Sequence, residues 1–157
     1  PLPFIDGVLD AVADHECYIF LDVFSGYNQI RMHPNDQEWT TFVTKWGVFV
    51  VVVMVFVLKM GPATFQRIIA EIFDDYILAF MQVFLDNFII NGQQIKHLKH
   101  LCLCLKLCRN ARLSLNPAKC VFHVTSSALL GHMASCNGIA MDPNKVHTIM
   151  HAPALTI

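Results

Sequence analysis

The chain has 157 residues, 11 Lys and Arg against 12 Asp and Glu for a net charge of -1, and is 55% hydrophobic but only 15% charged. That length predicts one domain with a substantial core, and the near-neutral charge supplies no basic excess for following a polyanionic backbone unaided. The longest apolar run, 48–58, covers about 11 residues where a membrane-spanning helix needs roughly 18 or more; its Val and Phe content reads as a buried strand.

In chain order, residues 7–14 have helical spacing and 18–23 form a short apolar strand that carries the lone acid Asp22. Residues 28–33 alternate apolar and polar up to Pro34, 39–46 follow with Thr and Val, and Gly47 turns the chain into 48–58. This pattern predicts an antiparallel meander. Pro62 suits the first turn of a helix, whose apolar face is Phe65, Ile68, Ile69, Ile72 and Phe73. A hairpin is expected over 82–91 with Asp86 at its tip, then an amphipathic helix over 95–110 and short strands after Asn116-Pro117. Asp142-Pro143 is expected to open a last helix cut off by the end of the chain. The opening at Pro1, with no charged-then-apolar leader, suggests an internal piece of a longer chain without a signal peptide. Cys17, Cys102, Cys104, Cys108, Cys120 and Cys136 are then expected as free thiols in a reducing, intracellular compartment.

Several segments in this order carry a resemblance. They are Pro1-Leu2-Pro3-Phe4-Ile5-Asp6, Leu21-Asp22-Val23-Phe24-Ser25-Gly26-Tyr27-Asn28-Gln29-Ile30, Pro62-Ala63-Thr64-Phe65-Gln66-Arg67, Phe84-Leu85-Asp86-Asn87, Leu115-Asn116-Pro117-Ala118-Lys119-Cys120 and Leu129-Leu130-Gly131-His132. Together they resemble the reverse transcriptase domain of gypsy-class long-terminal-repeat retrotransposons, nearly end to end. The resemblance implies an α+β polymerase palm, a ferredoxin-like antiparallel sheet with helices, with residues 30–60 in the fingers. It implies a partial domain over 1–157, with upstream fingers before Pro1 and thumb, connection and RNase H after Ile157, in the remainder of a pol polyprotein. The partners it implies are an RNA template, a DNA primer and a deoxynucleoside triphosphate, with no membrane.

Nucleotidyl transfer needs carboxylates from different strands converging on two Mg2+ ions about 3.5–4 Å apart. Asp22 and Asp86 suit that metal site, and Asn87 completes the catalytic set that the family implies. A solvated turn acid at each position is the bland alternative. The resemblance implies Val23, Phe24, Tyr27 and Phe56 at the incoming nucleotide, Tyr27 as a wall that rejects a 2′-hydroxyl; core packing would also explain Tyr27 and Phe56. Lys59, Gln66 and Arg67 are candidates for template or phosphate contacts, or simply a solvated face. Leu130, Gly131 and His132 would position the primer end, or form a turn without a role.

Two departures stand out. Where the family has a second aspartate this chain has Asn87, which removes a full negative charge opposite dications, a matter of several kcal/mol at an effective dielectric near ~20. The family's Phe-Gly-Leu is Phe56-Val57-Leu58 here, placing methyl groups where a glycine leaves room. Activity and metal binding are expected to be weakened; the alternative is a non-catalytic relic or a domesticated nucleic-acid- or protein-binding module. A zinc site on His97, His100, Cys104 and Cys108 is disfavoured, since their helical spacing spreads them over about 16 Å while zinc ligands lie within ~2.3 Å of the metal.

Overall fold

A computed structural model describes residues 2–152. In order the elements are α1 (Ile5–Val12), β1 (Cys17–Asp22), a 3-10 turn (Gly26–Gln29), α2 (Pro34–Gln37), β2 (Phe42–Thr44), β3 (Gly47–Phe49), α3 (Gly61–Ile72), β4 (Met81–Phe84), β5 (Asn87–Gly92), α4 (Gln94–Asn110), β6 (Val121–Val124), β7 (Ser126–Leu129), β8 (His132–Ser135), β9 (Gly138–Met141) and α5 (Pro143–Met150). The central sheet has the order β4-β5-β1-β6 with every pairing antiparallel. Strand, helix, hairpin, helix, strand in that spatial order is the split βαβ arrangement of ferredoxin-like folds, as expected from the resemblance.

The sheet is apolar on both faces, which is why β1 and β5 read as continuous apolar runs rather than alternating ones. Ile19, Leu21, Val23, Phe88 and Ile90 pack with Phe65, Ile69 and Phe73 of α3 and its end, and with Cys104 and Cys108 of α4. Tyr18 and Ile89 face the other way, onto Val8, Leu9 and Val12 of α1 and onto Leu129 and Ala134. The thiols of Cys104 and Cys108 are pushed up to about 12 and about 11 by burial, and act as core side chains, Cys104 Sγ lying 3.7 Å from Met81 Sδ.

The region 28–58 departs from the predicted meander. Residues 26–29 form the 3-10 turn, β2 and β3 are three residues each, and Arg31 and Val53 meet in a single isolated bridge. The stretch 48–58 is not a buried strand: Val48, Val52, Phe56 and Val57 are exposed and Met54 is buried. Its β-branched composition signals extended backbone but not what covers it, and among the described residues no second layer lies on β2 and β3. The first helix begins two residues earlier than its spacing suggested, while α4 and α5 lie where expected. Pro1 and residues 153–157 lie outside the described residues; α5 ends before them, at Met150 with His151 as its C-cap, so the end of the chain does not cut it off as expected.

Candidate active site

Asp22 closes β1 and stands opposite Asn87 in the β1–β5 register. The next rung is a hydrogen bond from Val23 N–H to the Asp86 carbonyl at 3.2 Å. Asp22 and Asp86, from β1 and from the β4–β5 turn, both line one cavity. The hairpin turn is tight because Leu85 takes a left-handed conformation (φ 55), uncommon for a branched side chain. It is braced from α3. Gln66, only 7% exposed, donates from Nε2 to the Val83 carbonyl (3.1 Å) and accepts at Oε1 from Leu85 N–H (2.7 Å).

The turn after β1 forms the rest of the site. Ser25 is left-handed (φ 47), and Gly26 lies so close to Phe65 that a Cβ there would sit 2.8 Å from the ring. That contact lets Tyr27 stack on Phe65 (centroids 5.0 Å, 26°) and meet Phe56 edge-on (5.3 Å, 86°). Burial, and then the Asp86 carboxylate, push the Tyr27 hydroxyl up, so it stays a neutral hydrogen-bonding group. A cavity of about 330 Å³ is lined by Asp22, Val23, Phe24, Tyr27, Phe56 and Asp86, with Ser25, Gly26, Asn28, Asn116 and Lys119.

Lys119 Nζ lies 3.5 Å from Asp22 Oδ2, the carboxylate side chain 16% and the lysine 65% exposed. A pair this solvated contributes at most about 1 kcal/mol, which leaves the ammonium free to move to a more negative partner. Its loop is fastened by Asn116 N–H to the Asp22 carbonyl (2.8 Å) and Phe24 N–H to the Ser114 carbonyl (3.0 Å). Gln29 completes the fastening, donating to the Ser114 carbonyl and accepting from Ser114 N–H. In the sequence Lys119 and Asn116 belong to the Leu115–Cys120 segment; no local pattern marks a distant lysine as a neighbour of Asp22.

Other candidates lie elsewhere. Asn87 does not line the cavity; its Nδ2 donates to Asp86 Oδ1 at 3.2 Å. Gln66 is corrected: it is buried with both amide atoms engaged by the hairpin, so it offers nothing to a template or phosphate. Arg67 is exposed on α3, beside a second cavity behind the hairpin, and Lys59 lines a third with Arg31 and Asp36. Leu130, Gly131 and His132 make the β7–β8 turn, with φ 49 and φ 82 at the first two as a two-residue hairpin requires. The Lys145 side chain lies over Gly131. Val57, at 90% exposed, points into solvent.

Two carboxylates from different elements on one cavity suit a hard cation that prefers oxygen ligands. Among the described residues no group of three His, Cys, Asp or Glu side chains is assembled for a metal. The donor set therefore fits one magnesium and offers a second no carboxylate of its own.

Residues 4–134 match the family described as reverse transcriptase (RNA-dependent DNA polymerase). The chain belongs to the reverse transcriptase family. This reverse transcriptase domain is 32% identical over 154 residues to the Retrovirus-related Pol polyprotein from transposon 412 of Drosophila melanogaster, covering 98% of this chain and 12% of that polyprotein. It is 33% identical to the corresponding polyprotein of transposon opus (99% and 16%), and 31% identical to the Transposon Tf2-7 polyprotein of Schizosaccharomyces pombe (88% and 10%). The chain thus spans a small part of the length of these relatives. In fold it matches the foamy viral protease-reverse transcriptase in complex with RNA/DNA hybrid, with a TM-score of 0.90 at 15% identity, over 99% of this chain and 21% of that one. Among the described residues no helix is long and apolar enough to cross a membrane.

Proposed function

We propose that this domain is the palm, with part of the fingers, of a gypsy-class retrotransposon polymerase built for RNA-directed DNA synthesis, and that Asn87 impairs it. The reading rests on the single cavity that gathers Asp22, Asp86, Tyr27, Phe56 and Lys119. Its substrates would be a deoxynucleoside triphosphate and a DNA primer on an RNA template. Solved relatives are described in complex with RNA/DNA hybrid and with dsDNA. The rest of the pol polyprotein would supply the remaining subdomains.

Asp22 and Asp86 would hold one Mg2+, which when bound would lower the pKa of the primer 3′-hydroxyl. Tyr27, fixed between Phe65 and Phe56, presents a flat ring to the sugar and excludes a 2′-hydroxyl by contact. Lys119 exchanges its weak partner Asp22 for the triphosphate, where its charge is worth more against several negative oxygens. Leu130-Gly131-His132 holds the primer end from outside the cavity, and Arg67 and Lys59 remain candidate backbone contacts.

Asn87 offers one neutral oxygen in place of a carboxylate, and its amide hydrogen occupies an oxygen that Asp86 needs for metal. That hydrogen bond also favours a second reading, a relic kept or drifting without catalysis. Primer extension on poly(rA)–oligo(dT), with the domain carried in flanking fingers and thumb, separates them. Asn87→Asp should raise synthesis at least about tenfold over the parent, each tenfold being ~1.4 kcal/mol. A parent as active as Asn87→Asp would refute the impairment, and silence from both, folded, would favour the relic.

A further inference from the structure

Gln66 is a buried amide whose hydrogen-bonding atoms are spent on the two ends of one turn. Its orientation is fixed by its partners, because a carbonyl at Val83 demands the Nε2 donor and an N–H at Leu85 demands the Oε1 acceptor. Leu85, one of those partners, immediately precedes Asp86 and is in a left-handed conformation at φ 55. Without those two hydrogen bonds such a residue would relax toward ordinary backbone angles and release the strain the turn stores. The relaxation would swing the adjacent Asp86 away from Asp22. Gln66 is placed to prevent it, rooted in α3 beside Phe65, whose ring also carries Tyr27.

We propose that Gln66 is a positioning residue of the polymerase site: through the Val83 carbonyl and Leu85 N–H it sets the Asp86 carboxylate against Asp22 for metal binding. The proposal rests on the reading of Asp22 and Asp86 as metal ligands. It differs from a template contact in a measurable way, since a brace acts on metal affinity and a template contact acts on nucleic-acid affinity. A ligand's outer partner typically contributes 10–100-fold to metal affinity. By linkage, metal binding must also tighten the Gln66–Leu85 bond.

The test is a Mn2+ titration followed by electron paramagnetic resonance on the whole chain, its Asp22→Asn variant and Gln66→Met, which keeps the volume and loses both hydrogen bonds. Binding of an RNA/DNA hybrid is measured alongside. Mn2+ affinity should fall about tenfold in Gln66→Met, at the low end of that range, with hybrid affinity unchanged. Unchanged Mn2+ affinity, or a loss confined to hybrid binding, overturns the proposal. If the parent binds Mn2+ no better than Asp22→Asn, the metal-site reading itself fails, and that is seen before Gln66 is touched. Should Gln66→Met not fold, amide exchange in the parent decides. Protection of the Leu85 amide that rises with Mg2+ supports the brace; protection that Mg2+ leaves unchanged, or exchange at the unfolded rate, overturns it.

Discussion

Asn87 and Asp86 are adjacent, and the amide of one donates to the carboxylate of the other at 3.2 Å. Without metal that contact is favourable, whereas a carboxylate at position 87 would put like charges side by side and raise one pKa. Asn87→Asp should therefore melt at lower temperature than the parent in EDTA, by about 1 kcal/mol of stability, and recover more than the parent does when Mg2+ is added. Thermal melts with and without metal check both signs, and equal responses to Mg2+ would contradict the account. The acids themselves were legible in the sequence, because a single carboxylate within an apolar strand or at a hairpin tip stands out from its neighbours. Gln66 was misread as a nucleic-acid contact for the opposite reason. A polar residue beside Arg67 on a helix looks solvated until the tertiary fold brings Val83 and Leu85 to it.

At the scale of elements, the turn after β1 depends on one missing side chain. Gly26→Ala would force a Cβ to 2.8 Å from the fully buried Phe65 ring, a clash of the kind that costs about 1–3 kcal/mol. Chemical denaturation should show that loss, together with weaker nucleotide binding as Tyr27 shifts; an unchanged midpoint would contradict it. Helix α4 carries a second signal. His97 is 1% exposed, and neither ring nitrogen has a hydrogen-bond partner among the described residues. Burial holds it below its ordinary value of 6.5, helped by His123 and His100 and opposed by the Tyr18 backbone. The unfolded chain therefore takes up a proton first as pH falls, so the stability His97 contributes is present above about pH 6.5 and is lost on acidification. Melting temperatures between about pH 7.5 and 5.5 should fall more steeply for the parent than for His97→Phe; equal slopes would contradict this. Helices α3 to α5 and strands β1, β4 and β5 were legible from period and punctuation. The 28–58 segment was not, since Val and Phe content reports a preference for extended backbone and says nothing of whether a neighbour buries it.

For the whole molecule, the split βαβ order follows from β1, α3, the β4–β5 hairpin, α4 and β6 in sequence, and it delivers both acids to one end of the sheet. Apart from that core, Trp39, Val43, Trp46, Val48, Val52 and Val57 expose apolar surface around β2 and β3. Exposed apolar side chains in this number promote association, and a net charge of -1 provides little repulsion against it. Light scattering of the isolated chain should show association that Val43→Lys with Val48→Lys reduces while the denaturation midpoint shifts by no more than about 0.5 kcal/mol; scattering that persists would place the sticky surface elsewhere. The central claim is that Asp22 and Asp86 form one divalent-ion site weakened by Asn87. Calorimetric titration with Mg2+ of the parent, Asp22→Asn and Asn87→Asp tests it most directly. The parent should bind weakly, Asp22→Asn not at all, and Asn87→Asp at least about tenfold more tightly, ~1.4 kcal/mol. Equal binding by the parent and Asp22→Asn, or no gain from Asn87→Asp, would contradict it.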